Sequence, residues 1–354
     1  MPTPDPPHAP ESDSFGPPLI DERAAMWAAS LVAPSRRDDP ATARALRAEI
    51  ASDVPDLDVA ARRWSGLGHG LPPTQARVVG RLGWIRINLS SLRGAFAPLR
   101  DKLGGNRAVA SRVVGVQVGA LLGLLSTKVL GQFVLPFGGP GGGELLVVGP
   151  NVLALGERQG DLAVDVRRTV VLHEITHRLQ FDGNPWLGDH LRGLVRRYLA
   201  EARVDRAAVL ELAPRLPRLV AEVRETGTIE PLIGAVLTDA QARIVAEAQG
   251  LMSLLEGHGN TAMFEAATGG LIADPDAVRG LLAQRHGDVA SKVLAVAGME
   301  MKRRQYREGE QFVRGVIELG GVEALNRAFT AAEHLPLGDE VGDPAGWLAR
   351  VRAA

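Results

Sequence analysis

No cysteine occurs among the 354 residues, so the chain can form no disulfide, no thiolate metal site and no cysteine nucleophile. Any metal has to be held by His, Asp or Glu. The absence fits a reducing compartment, and the cytoplasm is the expected location. Excess charge of either sign is missing too: 40 basic residues face 41 acidic ones, for a net charge of -1. With no basic block to concentrate a field, neither nucleic acid nor an anionic membrane is expected as a partner. The N-terminal stretch MPTPDPPHAPESDSFGPP has neither a positive start nor an apolar segment, so it does not read as a secretory signal. Residues 1–19 read instead as a disordered tail, with one domain from 20 to 354. Long hydrophobic runs are scarce. The strongest, Val113 to Leu125, is 13 residues long, interrupted by Gln117 and followed by Lys128. A membrane span needs about 20 apolar residues, so no span is expected and this run reads as a buried core helix. No repeat of 20 to 50 residues is visible.

What is present is mostly helical periodicity. Asp21 to Ala33 and Pro40 to Ser52 read as short helices, and Trp64 to Pro73, with five Gly or Pro residues, as a loop. Val78, Leu82, Ile85, Leu89, Leu92 and Phe96 recur at helical spacing and predict one long helix over Thr74 to Lys102. A second helix is expected over Arg107 to Leu130. After a glycine-rich stretch, the short run Leu145 to Val148 predicts a strand. Those glycines lack a following Lys-Ser/Thr and lead into a strand, so they do not form a phosphate loop. Helical pattern returns from Asp161 to Phe181, with Asp161 or Asp165 as cap or first-turn acid. Further helices are expected near 187–210, 239–256, 275–284, 288–319 and 321–332. The fold class is mainly α with a small β element. Two sub-lobes, 20–185 and 186–354, would flank a cleft.

The chemistry concentrates in His173-Glu174-Ile175-Thr176-His177. Four residues apart on a helix, the two imidazoles lie about 40° apart around the axis and one turn apart along it, so both reach one cation. Glu174 is turned about 100° from His173, too far to be a third ligand on the same face, yet near enough to touch a water on the metal. Zinc lowers the pKa of such a water and polarises a carbonyl, and an adjacent carboxylate serves as general base. Val170, Val171 and Leu172 before the pair are apolar, as a buried metal helix requires. Arg178 breaks that pattern and is expected to reach water from the helix edge.

A catalytic zinc site takes three protein ligands, so a third must come from downstream. Glu256 interrupts the apolar residues Leu251, Met252, Leu254 and Leu255, and Gly257 and Gly259 beside it permit close backbone approach. An acid there needs a strong partner. Glu201, 24 residues after His177 and with Asp205 available to orient an imidazole, is a second candidate, and His258 a third. Tyr306, one of two tyrosines, sits on a basic stretch and is a candidate donor to a developing oxyanion.

The blocks Gln117 to Gly123, Val129 to Gln132, Val148 to Asn151, His173 to Phe181, Pro185 to Leu187, Leu254 to His258 and Lys302 to Gly309 together resemble the zincin-like hydrolases of high-GC bacteria. Some of these are labelled as associated with the biosynthesis of a deazaflavin coenzyme. The resemblance covers about residues 20 to 350 and is most specific at 173–187 and 254–258. It implies a zincin-like, mainly helical fold and a zinc-dependent peptidase or hydrolase activity, with His173 and His177 as ligands, Glu174 as base and Glu256 as third ligand. Glu256-Gly257 also resembles the Glu-Gly pair that supplies the last ligand in several zincins, although 79 residues separate Glu256 from His177, more than in compact members. The expected function is therefore a Zn2+-dependent metallohydrolase acting on a peptide or other amide. A non-catalytic zinc protein that binds or assembles partners is the alternative. Fold analogy makes Glu144 to Val148 the edge strand onto which a peptide would add.

Overall fold

A computed structural model describes residues 19–33, 39–95, 107–137, 142–201, 239–267, 269–282 and 300–353. The expected N-terminal tail and the expected helical residues 201–210 and 288–299 fall largely outside this set. The elements are α1 (Glu22–Val32), α2 (Pro40–Ser65), β1 (Ala76–Val79), α3 (Arg81–Ala95), α4 (Arg107–Ser126), β2 (Gly131–Val134), β3 (Glu144–Val148), α5 (Gly149–Gln159), α6 (Ala163–Gly183), α7 (Pro185–Ala200), α8 (Asp239–Glu265), α9 (Glu300–Asn326) and α10 (Pro344–Ala353). Residues 275–282 are helical as well. The expected mainly helical architecture with a small β element is the observed one.

The three strands form one sheet in the order β1-β3-β2, with β1 parallel and β2 antiparallel to β3. β3 is therefore central, and the expectation that Glu144 to Val148 forms an edge is corrected: the edges are β1 and β2. The sequence carries the reason. Leu145 and Val147 enter a core with α2, α5, α6 and the end of α8, whereas Leu146 and Val148 enter another with α1, α3 and α4. A strand buried on both faces reads as a continuous apolar run, and such a strand belongs in the middle of a sheet. A third core joins α7, α8, α9 and α10 around Phe312 and Trp347.

Several sequence expectations change. The single helix over Thr74 to Lys102 is instead β1, a break at Gly80, and α3; Val78, assigned to the helical stripe, pairs with Val147 in the sheet. The helix expected to end at Ser52 runs through Pro55 to Ser65, where Gly66 closes it in the left-handed conformation. Burial of Val54, Leu57 and Ala61 in the core shared with α6 offsets the backbone hydrogen bond that Pro55 removes. The break expected near residue 320 is present: helical backbone on either side of Gly321 is interrupted there by its non-helical conformation (φ 74°). α4 is not a buried core helix either. It is long and apolar enough to cross a membrane by length and composition, but it lies against α1 through Gly115, Gly119 and Gly123 while Val113 and Leu121 remain about half exposed.

Candidate metal centre

α6 is buried around most of its circumference, and it is the element on which the site is built. Its buried face toward the first core consists of Val171, Leu172, Ile175 and Leu179. Its other two sides carry polar groups. His173 and His177 project from one side toward α8. Their Nε2 atoms lie 3.0 Å apart with the rings edge to face. Glu256, carried by α8, brings one carboxylate oxygen to 3.5 Å from His173 Nε2 and 3.8 Å from His177 Nε2. Ligand atoms about 2.0–2.1 Å from a tetrahedral zinc lie roughly 3.3–3.4 Å from one another. The three observed separations bracket that value, so the donor set fits a single ion. Among the described residues this is the one group of three possible ligands whose donor atoms converge.

The close approach of α8 depends on glycine. A Cβ on Gly259 would lie 2.8 Å from His173 Cε1 and 3.4 Å from His177 Cε1, so a side chain at 259 would displace the imidazoles. Gly257, on another side of α8, rests against the Gly309 backbone of α9. The two glycines flanking His258 thus let one helix pack between the metal helix and α9.

Glu174 points to the sheet. Its Oε2 accepts a 2.8 Å hydrogen bond from the Phe133 amide of β2, and Gly131 on the same strand leaves the space its Cγ occupies. Burial pushes the Glu174 carboxyl above its ordinary value, against the pull of the two neighbouring histidines. Burial alone would make His173 less basic, but the Glu256 and Glu174 carboxylates outweigh it and raise His173. Both groups hold protons more tightly than usual. A pocket with two carboxylates and two imidazoles favours positive charge, which is the electrostatic counterpart of the geometric fit.

The other candidates lie elsewhere. Glu201 is exposed at the C-terminal end of α7 and contributes to no such cluster. His258 is fully buried between Trp64 and Phe329, and burial followed by the proximity of His177 lowers its pKa to about 3, so it is a neutral core residue. Tyr306 falls on α9, but its side chain is outside the described set. Arg178, expected at the helix edge, is buried on the side of α6 away from the histidines. There it donates to Thr74 Oγ1 at 2.6 Å and to the Pro72 carbonyl at 2.9 Å, and pairs with Asp182 at 3.3 Å. Asp165 does lie in the first turn, where its carboxylate accepts from the Ala273 and Asp274 amides.

Sequence reasoning did not single out Gln180. With His173 and His177 it forms an i, i+4, i+7 stripe on one helix face, and that spacing was the available signal. Its carboxamide lies 2.8 Å from His177 Nδ1 and is completely buried.

The chain as a whole matches a known class. The profile of the Zincin-like metallopeptidase family matches residues 20–348, and the chain belongs to that family. It is also similar to a solved chain from Chloroflexus aurantiacus described as a "putative hydrolase with a novel fold", at 26% identity and a TM-score of 0.69, covering 95% of this chain and 100% of that one. No match was found among curated proteins.

Proposed function

We propose that the protein is a cytoplasmic zinc-dependent hydrolase cleaving an amide bond in a peptide or related substrate, with His173, His177 and Glu256 holding the metal. The carrying observation is that Glu174 stands beside this convergent donor set but is not part of it, a placement that a purely structural metal site has no use for. Bound there, zinc supplies Lewis acidity, acidifying a water and polarising a carbonyl. Glu174 accepts the proton released by the attacking water and delivers it to the leaving nitrogen. Its burial, which raises its affinity for that proton, suits it to the transfer. The Phe133 amide fixes the carboxylate's orientation from the side away from β3. Because Phe133 presents that amide on the free edge of β2, an extended substrate adding to β2 would lie directly over Glu174. In this reading residues 20–354 form one domain, with the cleft between lobes 20–185 and 186–354.

The test has two stages. Protein purified without chelators is expected to contain about one zinc per chain by elemental analysis. Glu174→Gln is then expected to retain zinc and fold while hydrolysis falls on the order of 10²–10⁴-fold. Zinc retention with unchanged turnover would instead favour a protein that binds or assembles partners.

A further inference from the structure

Gln180 makes three hydrogen bonds and is fully buried, and its position allows only one assignment of protons. Its amide nitrogen lies 3.1 Å from the Leu255 carbonyl, which can only accept, so that end must be the NH2 group. The opposite end is then the oxygen, and it faces His177 Nδ1 at 2.8 Å. An amide oxygen can only accept, so His177 must carry its proton on Nδ1. In the neutral ring its Nε2 is then a bare lone pair directed at His173 and Glu256. The second NH2 hydrogen goes to His258 Nδ1 at 2.8 Å, which must therefore be unprotonated. One carboxamide thus sets the tautomers of two histidines and ties α6 to α8 at residues 255 and 258, on either side of Glu256.

From this geometry we propose that Gln180 is a positioning residue of the metal centre, holding His177 in the ligand-competent tautomer before any ion arrives and fixing the register of α6 against Glu256. A deeper consequence concerns the pair itself. With His177 Nε2 bare, the 3.0 Å contact with His173 Nε2 requires His173 to donate the proton in the metal-free protein. His177 is preorganised as a ligand and His173 is not, so the two imidazoles enter coordination from different starting states. A carbonyl or carboxylate commonly orients a metal-bound histidine in this way. Here a neutral amide does so, and it also reaches the helix that carries the third donor.

The inference rests on the reading that these three side chains bind a divalent ion, but not on that ion being catalytic. The ring 15N shifts of the metal-free full-length protein test it directly. His177 protonated on Nδ1 is the expected result, and His177 protonated on Nε2 overturns the proposal whatever the protein binds. Zinc alone is then titrated against a chromophoric chelator. Gln180→Leu removes the acceptor and is expected to weaken zinc binding by about 10–100-fold. Gln180→Glu keeps an acceptor for His177 while losing both donors, so it is expected to lower thermal stability yet bind zinc nearly as the wild type does. A purely structural role predicts instead that zinc affinity follows stability, with both variants losing affinity together or neither losing any. Either pattern overturns the proposal. If the wild type binds no zinc, the reading of the site fails separately while the tautomer measurement still decides the role of Gln180.

Discussion

The two polar sides of α6 treat charge in opposite ways. On the side facing α2, Arg167 is bound by both oxygens of Glu49, Arg168 by both oxygens of Asp53, and Arg178 by Asp182, Thr74 and a backbone carbonyl, with Asp58 at 3.9 Å. Each cation meets an anion supplied by the protein, so that side is electrostatically closed. On the side facing α8, His173 and His177 converge with Glu256, and Glu174 stands beside them against β2. Nature and position of charge, more than its amount, separate a helix-packing device from a candidate ligand site: matched cation–anion pairs stabilise an interface, whereas convergent imidazole and carboxylate donors offer a place for a cation. The side chains of His173, His177 and Glu256 keep 13–20% of their exposure, which leaves that side accessible.

The largest effect should come from unbalancing the donor side. Glu256→Gln keeps the volume but removes the charge, and zinc affinity measured by chelator competition should fall by well over the 10–100-fold typical of an orienting residue. Glu201→Gln, at the exposed end of α7, should leave it nearly unchanged. If Glu201→Gln loses zinc and Glu256→Gln keeps it, the contrast between the two sides of α6 is drawn in the wrong place.

Breaking the closed side should cost stability in place of metal. Arg178→Met leaves the half-buried Asp182 without its cation and should destabilise the fold by up to about 3–5 kcal/mol in denaturant titrations. Zinc affinity of the folded fraction should change little. A large loss of zinc affinity would mean that the two sides of α6 are coupled through the helix. Gly259→Ala probes the seam from α8. The added methyl meets the His173 ring, and overpacking of this kind typically costs about 1–3 kcal/mol, here expected to appear in the zinc-binding free energy more than in the melting of the metal-free protein.

The smallest effect is expected far from α6, at a matched pair near the surface. Glu340 is held below its ordinary value: burial pushes its carboxyl up, but the two hydrogen bonds from Arg350 and one from the Leu337 amide pull it down further. A depressed carboxyl stabilises the fold above its unfolded pKa and loses that contribution as pH falls through the folded value. Glu340→Gln should therefore lower stability by less than about 1 kcal/mol at neutral pH. The difference from wild type should shrink on acidification below the ordinary carboxylate range. A difference that grows in acid would show that the ion pair is not its source.

The candidate site was legible because its chemistry is scarce and local. Two histidines four apart and a single acid among Leu251, Leu254 and Leu255 announce themselves in any window, and those three side chains are the ones whose donors converge. What was not legible depends on partners distant in sequence. Val78 fits a helical stripe as well as a strand, and only β3, about 70 positions later, decides between them. Arg178 reads as an edge residue until Thr74, 104 positions earlier, is seen to receive it. Gln180 lay on the right face but carried no charge to attract notice, because its importance comes from geometry that fixes which atom donates and which accepts.

The bond between Glu174 and the Phe133 amide has a consequence for solubility. β2 is an edge strand, and an exposed edge is a template on which foreign strands can pair and aggregate. A charged side chain turned inward against such an edge is one of the ways open sheets avoid that fate. Glu174 occupies the outward amide of β2 with an acceptor that cannot be extended into a ladder, so the residue proposed to move protons also guards the sheet. Under the proposed function, a substrate strand adding to β2 would have to share or displace the same contact, so one carboxylate would meet both substrate and stray strand.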